Sequence, residues 1–187
     1  MYKFHIVVPF YNAENYIRKD MRSIQDQIFK DFKVSIINDC STDNSNKKLL
    51  PLVENDERFQ IINNKINCWA LTNIINVLSK EENEPSRIID VLLDGDDYLV
   101  ANDVLDIINF TYSRTKSLLK YGSFIRKSDR KLYGRKYPLR SINKREFRKV
   151  PWFAFPLRTF RHDLYQNIDQ NDLKDHNGKY YSSGWDV

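Results

Sequence analysis

Short apolar runs alternate with stretches of helical spacing through the first half of this chain. His5-Ile6-Val7-Val8 predicts a strand, and Pro9 to Asn12 a turn after it. From Glu14 to Phe29, Tyr16, Ile17, Met21, Ile24 and Ile28 recur every three or four positions and share one helical face. Phe32 to Ile37 predicts a second strand, Asn38 to Asn44 a polar loop, and Ser45 to Val53 a helix. Phe59 to Ile62 predicts a third strand, Trp69 to Leu78 a helix, and Ile88 to Leu93 a fourth strand. This alternation predicts an α/β fold with a mostly parallel sheet and helices on both faces. Such sheets bind ligands just beyond the carboxyl ends of their strands. Polar clusters fall at three of those ends, at Pro9–Asn12, Asn38–Asp43 and Asp94–Asp97.

Beyond about Lys120 the pattern is less regular. Phe124-Ile125-Arg126 and Lys131-Leu132-Tyr133 read as short strands, and Phe160 to Ile168 as a short helix. Pro138, Pro151 and Pro156 break the chain into loops. No internal repeat or low-complexity tract is present.

A length of 187 residues fits one domain with a substantial core. Hydrophobic residues at 41% and charged residues at 29% mark a globular chain rather than a disordered one. Cys40 and Cys68 are the only cysteines, with neither metal-ligand spacing nor a disulfide framework, so a reducing, cytoplasmic setting is expected. Met1 to Phe10 is a short apolar strand and then a turn, without the longer apolar stretch of a secretion signal, so none is expected. No run approaches the roughly 18 uncharged apolar residues that cross a bilayer.

The net charge of +5 conceals a division along the chain. Residues 1–113 carry 12 basic and 18 acidic side chains, residues 114–149 carry 14 and 2, and residues 150–187 carry 4 and 5. The central basic block fits a solubilising surface, a nucleic acid, an anionic membrane touched peripherally, or a phosphorylated substrate.

Asp94-Gly95-Asp96-Asp97 bears most directly on chemistry. Ionised carboxylates this close repel unless a cation lies among them. Hard oxygen ligands suit Mg²⁺ or Mn²⁺, which proteins hold through one or two carboxylates plus substrate phosphates. A metal-bound diphosphate follows as one reading; a solvated Asp-Gly turn after a core strand is the other.

Four segments in order carry a resemblance. Val7-Val8-Pro9-Phe10-Tyr11-Asn12-Ala13, Ser23-Ile24-Gln25-Asp26-Gln27, Ile37 to Ser45, and Leu92 to Tyr98 resemble the successive motifs of family 2 glycosyltransferases. The likeness covers about the first 110 residues. It extends loosely through Trp152 to Arg161 and Gly184-Trp185-Asp186. It implies a single GT-A (Rossmann-like) domain over 1–187, with a nucleotide-sugar-binding part at 1–113. Residues 114–187 would supply the basic loop and part of a less regular acceptor side. It further implies a hexosyltransferase-type enzyme using a nucleotide-diphosphate sugar, expected to be a UDP-sugar, with Mn²⁺ or Mg²⁺. The acceptor would be a hydroxyl of a glycan, lipid or protein, and the outcome inverting.

Residue by residue, the resemblance places Pro9, Tyr11 and Asn12 at the nucleoside. Asp39 would accept the base N–H, while Asp43 serves as a capping or turn acid. Asp96 would be the principal metal ligand, Asp94 would meet the ribose or a metal-bound water, and Asp97 would share either task. Asp186 would be the general base. Arg126, Arg130, Lys131, Arg135 or Lys136 would lie on a loop over the diphosphate. Trp152, Phe153 and Phe155 fit an acceptor platform or a hydrophobic plug.

Four departures stand out. Asn38 replaces an acid. The third loop, Asn63 to Asn67, lacks the family's glycine, and His162 and His176 are poor matches for an extra ligand. The chain ends one residue past Asp186, where the family continues, which implies a shortened form. Two other classes remain open: a nucleotide-sugar-binding module without transfer, and, ranked lower, a basic nucleic-acid-binding protein. A nucleotidyltransferase would need a Gly-rich phosphate loop after the first strand, and Pro9-Phe10-Tyr11-Asn12 is not one.

Overall fold

A computed structural model of the protein describes residues 1–80 and 83–182. Four parallel strands form the body of the sheet: β1 (Lys3–Phe10), β2 (Phe32–Asn38), β3 (Phe59–Asn63) and β4 (Ile88–Leu92). Helices α1 (Ile17–Gln25), α2 (Ser45–Val53) and α3 (Ala70–Leu78) connect them. After β4 come α4 (Val104–Arg114), β5 (Leu119–Gly122), a hairpin of β6 (Phe124–Ile125) and β7 (Leu132–Tyr133), α5 (Leu139–Lys144), β8 (Phe155–Arg161) and α6 (His162–Tyr165). The six-stranded sheet has the order β3-β2-β1-β4-β8-β5, with β8 antiparallel to both of its neighbours. The expected α/β fold is present, and the β6–β7 hairpin joins the two short strands expected there.

Both faces of the sheet are covered, which is why the parallel strands read as continuous apolar runs. Phe4, Ile6, Val8 and Phe10 of β1 share one core with Ile17, Met21 and Ile24 of α1, Leu49 of α2 and Leu105 of α4. Val7 points the other way, with Ile37, Leu92, Ile74, Val77 and Tyr165.

Several boundaries differ from expectation for identifiable reasons. The turn expected at Pro9 begins two residues later, because β1 runs on to Phe10. Pro9 has no N–H to donate, but β4 ends at Leu92, and the Pro9 carbonyl accepts from the Gly95 N–H at 3.2 Å. Helix α1 is shorter than the span from Glu14 to Phe29. At its start, the Glu14 N–H donates to Asp43 and the Asn44 N–H donates to the Glu14 carboxylate, drawing this segment toward the second loop. At its end, Gln27 donates to the Ser23 and Ala101 carbonyls and accepts from the Leu105 N–H, so its side-chain amide ties the end of α1 to the segment that opens α4. The helix expected over Phe160 to Ile168 is confined to His162–Tyr165, because Phe160 and Arg161 pair with β4. Helix α4 and strands β5 and β8 were not anticipated from the sequence.

A polar network crosses the buried face. His162 Nδ1 lies 2.8 Å from Asp90 Oδ2, His5 Nδ1 is 3.5 Å from Asp90 Oδ1, and His5 Nε2 is 2.9 Å from Ser35 Oγ. These four residues join β1, β2, β4 and α6, and all are at most 5% exposed. His162 therefore belongs to the sheet rather than to a ligand set at the acidic tip.

Asp20 lies on the buried face of α1 with no exposure, and neither carboxyl oxygen has a hydrogen-bond partner among the described residues. Burial first, and then Asp97, Asp96 and Asp94, push its pKa well above the ordinary range. The folded protein therefore holds this proton more tightly than the unfolded chain does. Stability from this group is lost as pH rises past the ordinary carboxylate value. Asp20→Asn should be more stable than wild type at pH 8, with the gap closing by about pH 4; urea unfolding across that range checks it. Asp90→Ala should cost about 3 kcal/mol in the same assay, since it leaves two buried imidazoles facing an empty space.

Candidate functional site

The loops after β1, β2, β3 and β4 meet at one end of the sheet, and side-chain hydrogen bonds lock them together. Asn12 has a left-handed backbone (φ 52°), and its side-chain oxygen accepts from the Thr42 N–H at 2.8 Å and the Asp43 N–H at 3.3 Å. Its own N–H donates to Ser41 Oγ. Asn12 thus clamps the first loop to the second. Asp43 accepts from the N–H groups of Ser45 and Glu14 and from the Ser45 hydroxyl, the capping role expected of it.

Asp39 fastens the third loop. Its Oδ1 accepts from Asn64 Nδ2 and the Cys68 N–H, both at 2.8 Å, and its Oδ2 accepts from the Trp69 N–H at 2.9 Å. Burial raises its pKa, but donors from Asn73, Cys68, Asn64 and Trp69 outweigh that and hold the carboxyl below its ordinary value. Trp69 sits at φ 67°, a conformation that favours glycine. Strain of this kind costs roughly 1–3 kcal/mol, and the two N–H bonds to Asp39 oppose it. A loop without the expected glycine is thereby held in shape by an acid.

The acidic tip lies against the end of β1. A Cβ on Gly95 would come within 2.4 Å of Phe10 Cβ, so only glycine permits this approach. The result is a cavity of about 290 Å³ lined by Pro9, Tyr11, Asn12, Tyr16, Asp94 and Asp96, among others. Tyr11 and Tyr16 are both about half exposed there, at 52% and 47%. Pro9, Tyr11, Asn12, Asp94 and Asp96, all expected at the site, do come together. Asp97 faces elsewhere, into a neighbouring cavity of about 420 Å³ with Tyr98, Phe124, Arg130 and Leu157 on its walls.

The electrostatics of the tip are unbalanced. Burial, then Asp96 and Asp94, raise the pKa of Asp97 to about 6, with Arg158 opposing them. Arg158 on β8 lies 3.8 Å from Asp94. It was missed in the sequence because 64 residues separate the pair and only the sheet order brings them together. Asp20 and Tyr16 were missed as well, since each passes for an ordinary α1 residue. Among the described residues no group of three His, Cys, Asp or Glu side chains is arranged to hold a metal ion. An ion that takes one or two carboxylates and completes its shell with phosphate and water needs no such group. The oxygen-only donors at the tip and the crowding of three carboxylates in one turn fit Mg²⁺ or Mn²⁺.

Of the basic residues expected over a diphosphate, Arg126 is paired with Asp129, and Arg135 lies 5.4 Å over the Phe153 ring. Arg130 lines the larger cavity rather than the Tyr11 cavity. Phe155 packs on Phe124, and Phe153 on Tyr137, so these two rings serve as packing. Asp186 lies outside the described residues.

The sequence matches the family described as Glycosyl transferase family 2 over residues 5–169. An uncharacterized glycosyltransferase of Mycoplasma pneumoniae is 30% identical over 103 residues, 54% of this chain and 33% of that protein. The crystal structure of S. aureus TarS 1-349 superposes with a TM-score of 0.66 at 22% identity, covering 98% of this chain and 52% of that one. The mannosyltransferase PcManGT from Pyrobaculum calidifontis, solved with GDP-Man and Mn²⁺, superposes at 0.64 with 17% identity, covering 88% and 46%. At these identities the two structures speak to fold, which is that of GT-A glycosyltransferases. The chain spans a third to a half of the length of these relatives. With the family match running through both the strand-end loops and β8, this chain belongs to glycosyltransferase family 2.

Proposed function

We propose that the cavity between the Tyr11 loop and the acidic tip binds the donor, a nucleoside-diphosphate sugar, and that the protein transfers its sugar to an acceptor hydroxyl. The meeting of Tyr11 and Asn12 with Asp94 and Asp96 in one cavity carries this reading. Half-exposed Tyr11 offers a flat face to a nucleobase. Asp39 stiffens the third loop beside the cavity through the Asn64, Cys68 and Trp69 bonds, and is the proposed acceptor for a base N–H. The UDP-GlcNAc complex of TarS supports a UDP-sugar as the donor to test first, and the GDP-Man complex of PcManGT makes a GDP-sugar the alternative.

Asp96, exposed in the cavity, would hold Mn²⁺ or Mg²⁺, with Asp94 beside it. A bound cation supplies Lewis-acid stabilisation to the departing diphosphate. Arg158 lies against Asp94 and adds positive charge where the diphosphate sits. Asp186 is the proposed base that takes the proton of the acceptor hydroxyl, with inversion at the sugar carbon.

Isothermal titration with UDP and UDP-GlcNAc, with and without Mn²⁺, tests the site. Both should bind, more tightly with Mn²⁺. Asp96→Ala should weaken the Mn²⁺-dependent binding by at least about tenfold. Equal binding by the variant, or indifference to Mn²⁺, removes the metal from this reading. No binding of any nucleotide-sugar ends it.

A further inference from the structure

The larger cavity, beyond the acidic tip, falls within the size range of small-molecule sites, at about 420 Å³. Its walls are mainly apolar. Leu93 and Leu99 belong to the buried core, and Val104 and Leu157 pack against it. Phe124 and Ile125 of the hairpin complete the lining. Asp97, Lys127 and Arg130 are its charged members.

The charges of the hairpin are divided. Asp129 accepts from Arg126, from the Tyr133 hydroxyl and from the Lys131 N–H, so Arg126 is neutralised within the hairpin. No such bond or ion pair to a described residue holds the Lys127 or Arg130 side chain. The hairpin that carries them is anchored, with Phe124 stacked on Tyr133 at 5.1 Å and packed on Phe155 at 5.4 Å. Asp97 likewise accepts no hydrogen bond from the described chain, although its charge feels Arg158.

We propose that this cavity is the acceptor site, and that it takes a small molecule with an apolar body, one anionic group for Lys127 and Arg130, and a hydroxyl at the Asp97 end. Each part of that ligand answers something on the cavity wall. Hydrocarbon is favoured over water against the apolar lining. An anion gives two unpaired cations charge-assisted hydrogen bonds. A hydroxyl donates to Asp97, on the same tip as Asp94 and Asp96. A neutral sugar would leave both cations unanswered, and a nucleic-acid backbone would leave the apolar walls wet. A bilayer surface cannot enter a cavity of this size. The word acceptor rests on the donor reading above; the binding chemistry does not.

Titration calorimetry with 10-hydroxydecanoate as probe tests it, against 1,10-decanediol, which lacks the anion. The wild-type protein should bind the hydroxy acid at least about tenfold more tightly than the diol, and Lys127→Glu/Arg130→Glu should lose that preference. Val100→Trp, at a position 73% exposed on the cavity wall, should weaken the hydroxy acid by a similar factor without changing the melting temperature. Equal binding of acid and diol, or full binding by the double variant, overturns the proposal. So does attachment to phosphatidylglycerol vesicles through Lys127 and Arg130 with no binding of the probe, which marks a membrane contact instead. UDP with Mn²⁺ should bind all variants as it binds wild type, since none of these side chains lines the Tyr11 cavity. A wild-type protein that takes the probe but not UDP removes the donor reading and leaves this site standing.

Discussion

Like-charge repulsion at the carboxyl end of β4 is the constraint around which this domain is arranged. Asp94, Asp96 and Asp97 crowd one turn, with Asp20 buried behind them, and Arg158 lies 3.8 Å from Asp94. The apolar core beneath cannot screen these charges. Protonation relieves part of the load, as the raised pKa values of Asp20 and Asp97 show. A divalent cation with its phosphates would relieve more. The fold's contribution is to hold the acids together despite their repulsion. It does so through the Gly95 contact with Phe10, the core side chains Leu93 and Leu99, and the Gln27 bonds to Ala101 and Leu105.

The loops opposite the tip are rigid for a different reason. Asn12, Asp39 and Asp43 spend much of their hydrogen-bonding capacity on neighbouring backbone. Such residues shape a site as much as they offer contacts within it. The Asp39–Trp69 arrangement shows the exchange clearly: a conformation that usually calls for glycine is kept by a carboxylate, leaving an indole exposed at the surface. A preorganised rim lowers the entropy that a ligand must lose on binding.

The parallel half of the sheet was legible because its strands are apolar throughout and its helices keep a clear period. The site was legible where it depends on strand ends, so Pro9, Tyr11, Asn12, Asp94 and Asp96 meet as expected. Helix α1 was drawn too long because side chains such as Glu14 and Gln27 ended it, and periodicity does not register such contacts. Helix α4 was not legible because exposed Ile107 and Phe110 lie among buried Leu105 and Tyr112, which blurs its apolar period. Strand β8 was hidden by Pro156 at its start and by partners far away in sequence. Arg158 and the direction of Asp97 depend on that strand, and local pattern contains neither.

The position of β8 also shapes the order in which the protein can be completed. As the chain leaves the ribosome, β1 to β4 emerge with one side of β4 unpaired. Its intended neighbour, Phe155–Arg161, is synthesised more than sixty residues later. Until then the nascent domain presents a bare row of amides and carbonyls beside three crowded acids, Asp94, Asp96 and Asp97. Their negative charge discourages edge-to-edge joining with a second unfinished chain. The same carboxylates that stand at the site would then act as its guard during synthesis.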